Sequence, residues 1–200
     1  MIYIVGIGPG NYEYILPKAK EILNKSHKII GFDRAISSID FIKKEKIVVK
    51  SLKEILNKIE ENKNLNISVI SSGDPTFYGI TNYLNNKIKN PIEIIPGISS
   101  FQYLTSKVGV MWSNAYLGSL HGREEEFLIK VKENNISIWL TDKINNPSRL
   151  CEILCENNIK AKVTIGENLS YDDEKITIGD PKVLRLENYD SLSVVIIEKL

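Results

Sequence analysis

Residues 1–10 read MIYIVGIGPG, and this stretch decides the fold. The apolar run at 2–7 is continuous rather than alternating, the pattern of a strand buried on both faces. It stops in Gly6-Ile7-Gly8-Pro9-Gly10, a turn rather than a further strand residue. The same arrangement returns twice. Residues 67–70 run into Ser71-Ser72-Gly73-Asp74-Pro75-Thr76, and residues 92–95 run into Pro96-Gly97-Ile98-Ser99-Ser100. Each time a short strand ends in a glycine- or proline-bearing turn.

Working outward, Ile15, Ala19, Ile22 and Leu23 follow the first turn at helical spacing. Residues 28–30 and 46–49 read as two more strands, and Leu52, Ile55, Leu56 and Ile59 as a second helix. Strands alternating with helices predict parallel units joined by right-handed crossovers. The texture changes near residues 108–114. Beyond them, 115–120 and 136–140 read as strands around a helix at 124–132, and a helix at 147–157 follows. Then come strands at 162–165, 175–178 and 192–197, with no helix-length segment between the last two. Consecutive strands without a crossover helix must run antiparallel or in a mixed sheet. The expectation is two α/β domains: 1–110 with a mostly parallel sheet covered by helices on both faces, and 111–200 with a mixed sheet.

Composition narrows the function. Among 200 residues, 26 basic and 25 acidic side chains leave a net charge of +1, which argues against a nucleic-acid partner. A locally basic pocket for a small acidic ligand stays compatible with that balance. No apolar run approaches the ~18 residues of a membrane helix, and the opening residues lack the basic region of a signal peptide. The chain is therefore expected in the cytoplasm, away from membranes. Cys151 and Cys155 stand four apart with no second pair, so no zinc pattern exists and no protein-bound metal is expected.

The three turns are the candidate site. Ligands of open α/β sheets bind outside the carboxyl ends of the strands, and glycine lets them approach the backbone. The bland alternative is that glycine and proline merely punctuate strands. A nicotinamide-dependent dehydrogenase is one functional rival: Gly6 and Gly8 fit the start of a dinucleotide fingerprint, and Asp33 sits where a ribose-binding acid would. Against it, the third fingerprint glycine falls on Asn11, and Pro9 removes an N–H that would cradle a pyrophosphate.

A strand followed by GIGPG, with SSGDPTFYG after the fourth strand and IPGISSFQ after the fifth, resembles the tetrapyrrole (corrin/porphyrin) S-adenosylmethionine-dependent methyltransferases. The resemblance covers essentially the whole chain. It includes Gly166-Glu167-Asn168-Leu169-Ser170-Tyr171 followed by Glu174-Lys175-Ile176, which looks like the family's late motif. Ser119-Leu120-His121-Gly122-Arg123 is similar to the branch that methylates carbon 5 of precorrin-7 or cobalt-precorrin-7 (precorrin-6Y type), and the length resembles its stand-alone form.

The resemblance implies an S-adenosyl-L-methionine site in a cleft between the two domains. Gly8, Pro9 and Gly10 would bound the cofactor, Gly73 and Asp74 would meet its methionine part, and Thr76 and Phe77 would line the same turn. Ser99 and Ser100 would contribute from the third turn, and Leu140 and Leu169 would meet the adenosine. It also implies a small-molecule tetrapyrrole substrate, a homodimer, and a functional partnership with a separate C15-methylating decarboxylase. Pro17 departs from the family's usual Thr or Ser at the start of the first helix, which reads as altered capping.

Methyl transfer from a sulfonium to an enamine-like ring carbon asks for alignment and exclusion of water, with a weak base to take the departing proton. His121 is the candidate base. Arg123 and Arg34 are candidates to pair with substrate carboxylates. Other readings stay open: another corrin carbon, the sirohaem precursor, or a non-catalytic module that binds adenosylmethionine.

Overall fold

The computed structural model describes residues 1–122 and 125–200. In chain order the first part holds β1 (Ile2–Gly6), α1 (Pro17–Lys25), β2 (Lys28–Phe32), α2 (Asp33–Ser37), β3 (Glu45–Val49), α3 (Leu52–Glu61), β4 (Ile67–Ser71), α4 (Thr81–Asn85) and β5 (Ile92–Ile95). Every pairing among these strands is parallel, in the order β3-β2-β4-β1-β5. β1 is an interior strand, paired with β4 and β5 and covered on both faces, which is why its apolar run does not alternate. Val5, with Ile29 and Ile70, packs under Ala19, Ile22 and Leu23 of α1 and Ala35 and Ile36 of α2. On the opposite face Ile2 and Ile4, with Ile67 and Val69, pack against Ile55 and Ile59 of α3 and Leu84 of α4. Helices cover both faces, as such a sheet requires.

The rest of the chain holds α5 (Ser100–Val108), β6 (Tyr116–Ser119), α6 (Phe127–Glu133), β7 (Ile136–Leu140), α7 (Pro147–Glu156), β8 (Ala161–Glu167), β9 (Lys175–Gly179), α8 (Pro181–Leu184) and β10 (Ser193–Lys199). Its sheet runs β6-β7-β10-β8-β9 and is mixed: β6 and β7 are parallel, and the remaining pairs are antiparallel. Trp139, fully buried, anchors one face among Phe127, Val131, Leu150, Leu154 and Val195. Gly118 of β6 makes room for it, because a Cβ there would lie 2.4 Å from the indole ring.

The strands and α1, α3, α6 and α7 fall close to where the sequence places them, whereas α5 was not among the helices it predicts. Two differences have local causes. Asn11 accepts the Glu13 N–H at 2.9 Å and turns residues 12–14 into a 3-10 turn, so α1 begins at Pro17 and leaves Ile15, which shares its helical spacing, ahead of it. Pro17 is the first helical residue, where its missing N–H costs no hydrogen bond. The chain packs as two compact units, Met1–Ser99 and Ser100–Leu200. The sequence reading puts 100–108 ahead of a division at about residue 110, whereas α5 lies in the second unit, with buried Leu104 against Gly166. Among the described residues no helix is long and apolar enough to cross a membrane.

Candidate active site

The order β4-β1-β5 makes the three turns neighbours. The turns after β1 and β4 are joined directly: Gly73 N–H donates to the Gly8 carbonyl at 2.7 Å, and Gly8 N–H to the Gly73 carbonyl at 3.4 Å. Both residues have left-handed backbones, φ +76° at Gly8 and +65° at Gly73, which glycine adopts without strain. The third turn closes on this pair. A Cβ on Gly97 would lie 2.2 Å from the Gly73 carbonyl oxygen, and one on Gly6 would lie 2.7 Å from the Gly97 nitrogen. The glycines therefore let three backbone segments meet at one point.

Asp74 fastens that arrangement. Its Oδ1 accepts the Thr76 N–H at 2.7 Å and the Thr76 hydroxyl, and its Oδ2 accepts the Gly97 N–H at 3.2 Å. Burial pushes its carboxyl up. The Thr76 hydroxyl and the N–H groups of Thr76, Gly97 and Phe77 outweigh that and hold Asp74 below the ordinary carboxylate range. It is the single charged residue in residues 6–10, 73–77 and 96–100. The cradle thus carries an anionic carboxylate, onto which the Thr76 hydroxyl is turned.

Pro9 is half-buried and Gly10 buried beside the first turn, while Thr76 is exposed and Ser99 buried. Phe77 stands edge-on to Tyr78 at 5.0 Å. Ser100 opens α5. Arg34 is exposed in α2, which follows β2, the strand that flanks β4 on the side away from β1.

The second unit gathers His121, Leu140 and Leu169 at one end of its sheet. Leu120 N–H donates to the Leu140 carbonyl at 2.8 Å, and Thr141 Oγ1 donates to the Ser193 carbonyl at 2.8 Å, so the ends of β6 and β7 meet the start of β10. On the other side of β10, Ser193 pairs with Glu167 at the end of β8, two residues before buried Leu169. Leu140 is half-buried. His121 is exposed, and its Nδ1 lies 3.2 Å from the Thr141 carbonyl oxygen. A carbonyl oxygen can only accept, so Nδ1 carries the proton, and Nε2 is the nitrogen that holds the lone pair in the neutral tautomer. Arg123 lies outside the described residues.

Sequence reasoning missed Thr141 and Asp142, which hold this corner. Asp142 accepts the N–H groups of Asn145 at 2.7 Å, Ile144 at 2.8 Å and Gly122 at 3.1 Å. The Asn145 and Gly122 N–H groups chiefly hold its carboxyl below the ordinary range. A polar pair directly after a strand end was the available signal. Among the described residues no group of three or more His, Cys, Asp or Glu side chains is placed to hold a metal ion. Burial pushes the Cys151 thiol up to about 12.

Comparison with known proteins gives concordant results. The family of "Tetrapyrrole (Corrin/Porphyrin) Methylases" matches residues 1–183. A protein of Methanocaldococcus jannaschii named "Probable cobalt-precorrin-7 C(5)-methyltransferase" is 36% identical, covering 99% of this chain and 98% of its own. The cobalt-precorrin-7 C(5)-methyltransferase of Salmonella typhimurium is 27% identical with 100% of both chains covered. Among solved structures, the precorrin-6Y methylase of Archaeoglobus fulgidus superposes with a TM-score of 0.79 at 26% identity, covering 100% of this chain and 98% of that one. Uroporphyrin-III C-methyltransferase from Thermus thermophilus, solved with S-adenosylhomocysteine, reaches a TM-score of 0.80 at 18% identity, a likeness of fold; 98% of this chain and 96% of that one are covered.

Proposed function

Because the chain belongs to the tetrapyrrole (corrin/porphyrin) methylase family, we propose that it methylates cobalt-precorrin-7 at carbon 5, with S-adenosyl-L-methionine as donor, in cobalamin biosynthesis. The observation that carries this reading is the full-length likeness to two relatives of that name.

The cradle fits the donor chemically. S-adenosylmethionine carries a sulfonium and an ammonium and supplies a methyl group that is already an activated electrophile. The turns offer a fixed carboxylate at Asp74, hydroxyls, and backbone bared by glycine. That favours a cationic ligand. It disfavours a dinucleotide, whose pyrophosphate would meet Asp74 and lack an N–H at Pro9. In this reading Gly8, Pro9 and Gly10 bound the donor, and Gly73 and Asp74 face its methionine part. Thr76, Phe77, Ser99 and Ser100 complete that end, and Leu140 and Leu169 meet the adenosine.

His121 then serves as the base. Its protonated Nδ1 is held by Thr141, so Nε2 is the atom that takes the proton leaving carbon 5. Arg123 and Arg34 pair with peripheral carboxylates of the macrocycle. Alignment of donor and ring carbon supplies the larger share of the barrier reduction, up to about 7–11 kcal/mol in favourable systems. The working assembly is read as a cytoplasmic homodimer beside a separate C15-methylating decarboxylase. The homodimer and the partnership rest on the family resemblance.

Calorimetry with S-adenosylhomocysteine and with NADH tests the donor assignment. Binding of the first and not the second is expected. The reverse would overturn the proposal.

A further inference from the structure

The turn between β8 and β9 is built more tightly than a connection requires. Antiparallel neighbours can be joined by two residues, whereas here residues 168–174 intervene. Leu169 is flanked by two left-handed non-glycine residues, Asn168 at φ 45° and Ser170 at φ 70°. Such backbones persist only where the surroundings over-determine them, and they concentrate at functional sites. Asn168 is held by its amide, which donates to Asp173 at 2.8 Å and to Asp190 at 3.3 Å. Ser170 is held by its N–H, which donates to Glu174 Oε2 at 2.6 Å. Leu169 itself seats on Gly166, where a Cβ would lie 2.7 Å from its Cδ2.

Glu174 is in turn held by α5. The Tyr103 hydroxyl donates to its carboxylate. Lys107 Nζ lies 3.4 Å from its Oε1 and 5.2 Å from the centre of the Tyr103 ring. The same helix places Leu104 on Gly166, the glycine that seats Leu169. One helix thus supports the turn at two points, by packing under it and by gripping the carboxylate that grips Ser170.

We infer that Glu174 is a positioning residue for donor binding: held by Tyr103 and Lys107, it fixes the 168–171 turn so that Leu169 meets the adenosine in a ready-made shape. The inference rests on the reading that places adenosylmethionine against Leu169, and it adds residues that the reading did not contain. Burial pushes the Glu174 carboxyl up, but Tyr103, the Ser170 N–H and Lys107 hold it below the ordinary range, so the grip is an anion's at neutral pH.

The test compares the wild-type enzyme with Glu174→Ala, Glu174→Gln and Tyr103→Phe. For each, calorimetry gives the Kd of S-adenosylhomocysteine, kinetics give KM for the donor and kcat, and hydrogen exchange reports on residues 168–171. Glu174→Ala is expected to raise Kd and KM by about tenfold or more while kcat at saturation stays within about twofold. Protection should fall in 168–171, with the other two variants intermediate. Unchanged Kd and KM in variants that fold would overturn the inference, as would a fall in kcat with KM untouched. Tyr103→Phe keeps the buried ring and carries the test if Glu174→Ala does not fold. A wild-type protein that binds no S-adenosylhomocysteine would instead overturn the functional reading beneath it.

Discussion

The Asp74 carboxylate accepts the backbone N–H of Gly97 at 3.2 Å, tying the turn after β4 to the turn after β5 across the end of β1. Its other oxygen is occupied by Thr76. The residue therefore shapes the cradle before any ligand arrives. Asp74→Ala should lower stability by about 1–3 kcal/mol, the range for unsatisfying buried donors of a charged acceptor. It should also weaken S-adenosylhomocysteine binding, measured by thermal melts and calorimetry on the same preparations.

The same carboxylate has a pH signature. Its folded-state pKa is depressed, so its contribution is present above the unfolded-state pKa and is lost as pH falls through the folded value. The Tm difference between wild type and Asp74→Asn should be widest near neutrality and shrink on acidification below the ordinary carboxylate range. A difference that stays constant with pH would mean that Asp74 is not braced as an anion.

Gly97→Ala places a Cβ 2.2 Å from the Gly73 carbonyl oxygen. The obstructing atom is backbone, so the turn must move. A cost of about 1–3 kcal/mol is expected, typical of overpacking, together with lost cofactor affinity. Circular dichroism melts and calorimetry would check both; an alanine variant with unchanged affinity would show that the close approach does not matter for binding.

His121 should be found protonated on Nδ1 when neutral, because the group 3.2 Å away is the Thr141 carbonyl. Nitrogen-15 chemical shifts of the ring would reveal the tautomer without any activity measurement. His121→Ala should lower turnover by about 10²-fold or more, as loss of a general base does, with donor affinity retained. Full turnover in that variant would remove His121 from the chemistry.

Much of this was legible in the sequence, for reasons that differ by element. The run at 2–7 announced an interior parallel strand, because burial on both faces leaves no polar alternation. The helices α2 and α4 were not legible: at five residues each they barely exceed one turn, too short to display a helical period. The turns were found by their glycines, but the joining of Asp74 to Gly97 depends on β1 lying between β4 and β5, which strand order alone decides. The pairing of His121 with Thr141 likewise needs β6 set beside β7. The allegiance of α5 turned on Leu104 meeting Gly166, a contact between residues far apart in the chain.

The central claim is methylation at carbon 5. Incubating the protein with cobalt-precorrin-7 and S-adenosylmethionine labelled in its methyl group, then analysing the product by mass spectrometry and NMR, tests it directly. Gain of one labelled methyl at carbon 5 is the predicted result. Donor binding with no transfer, or transfer to a different ring carbon, would contradict it.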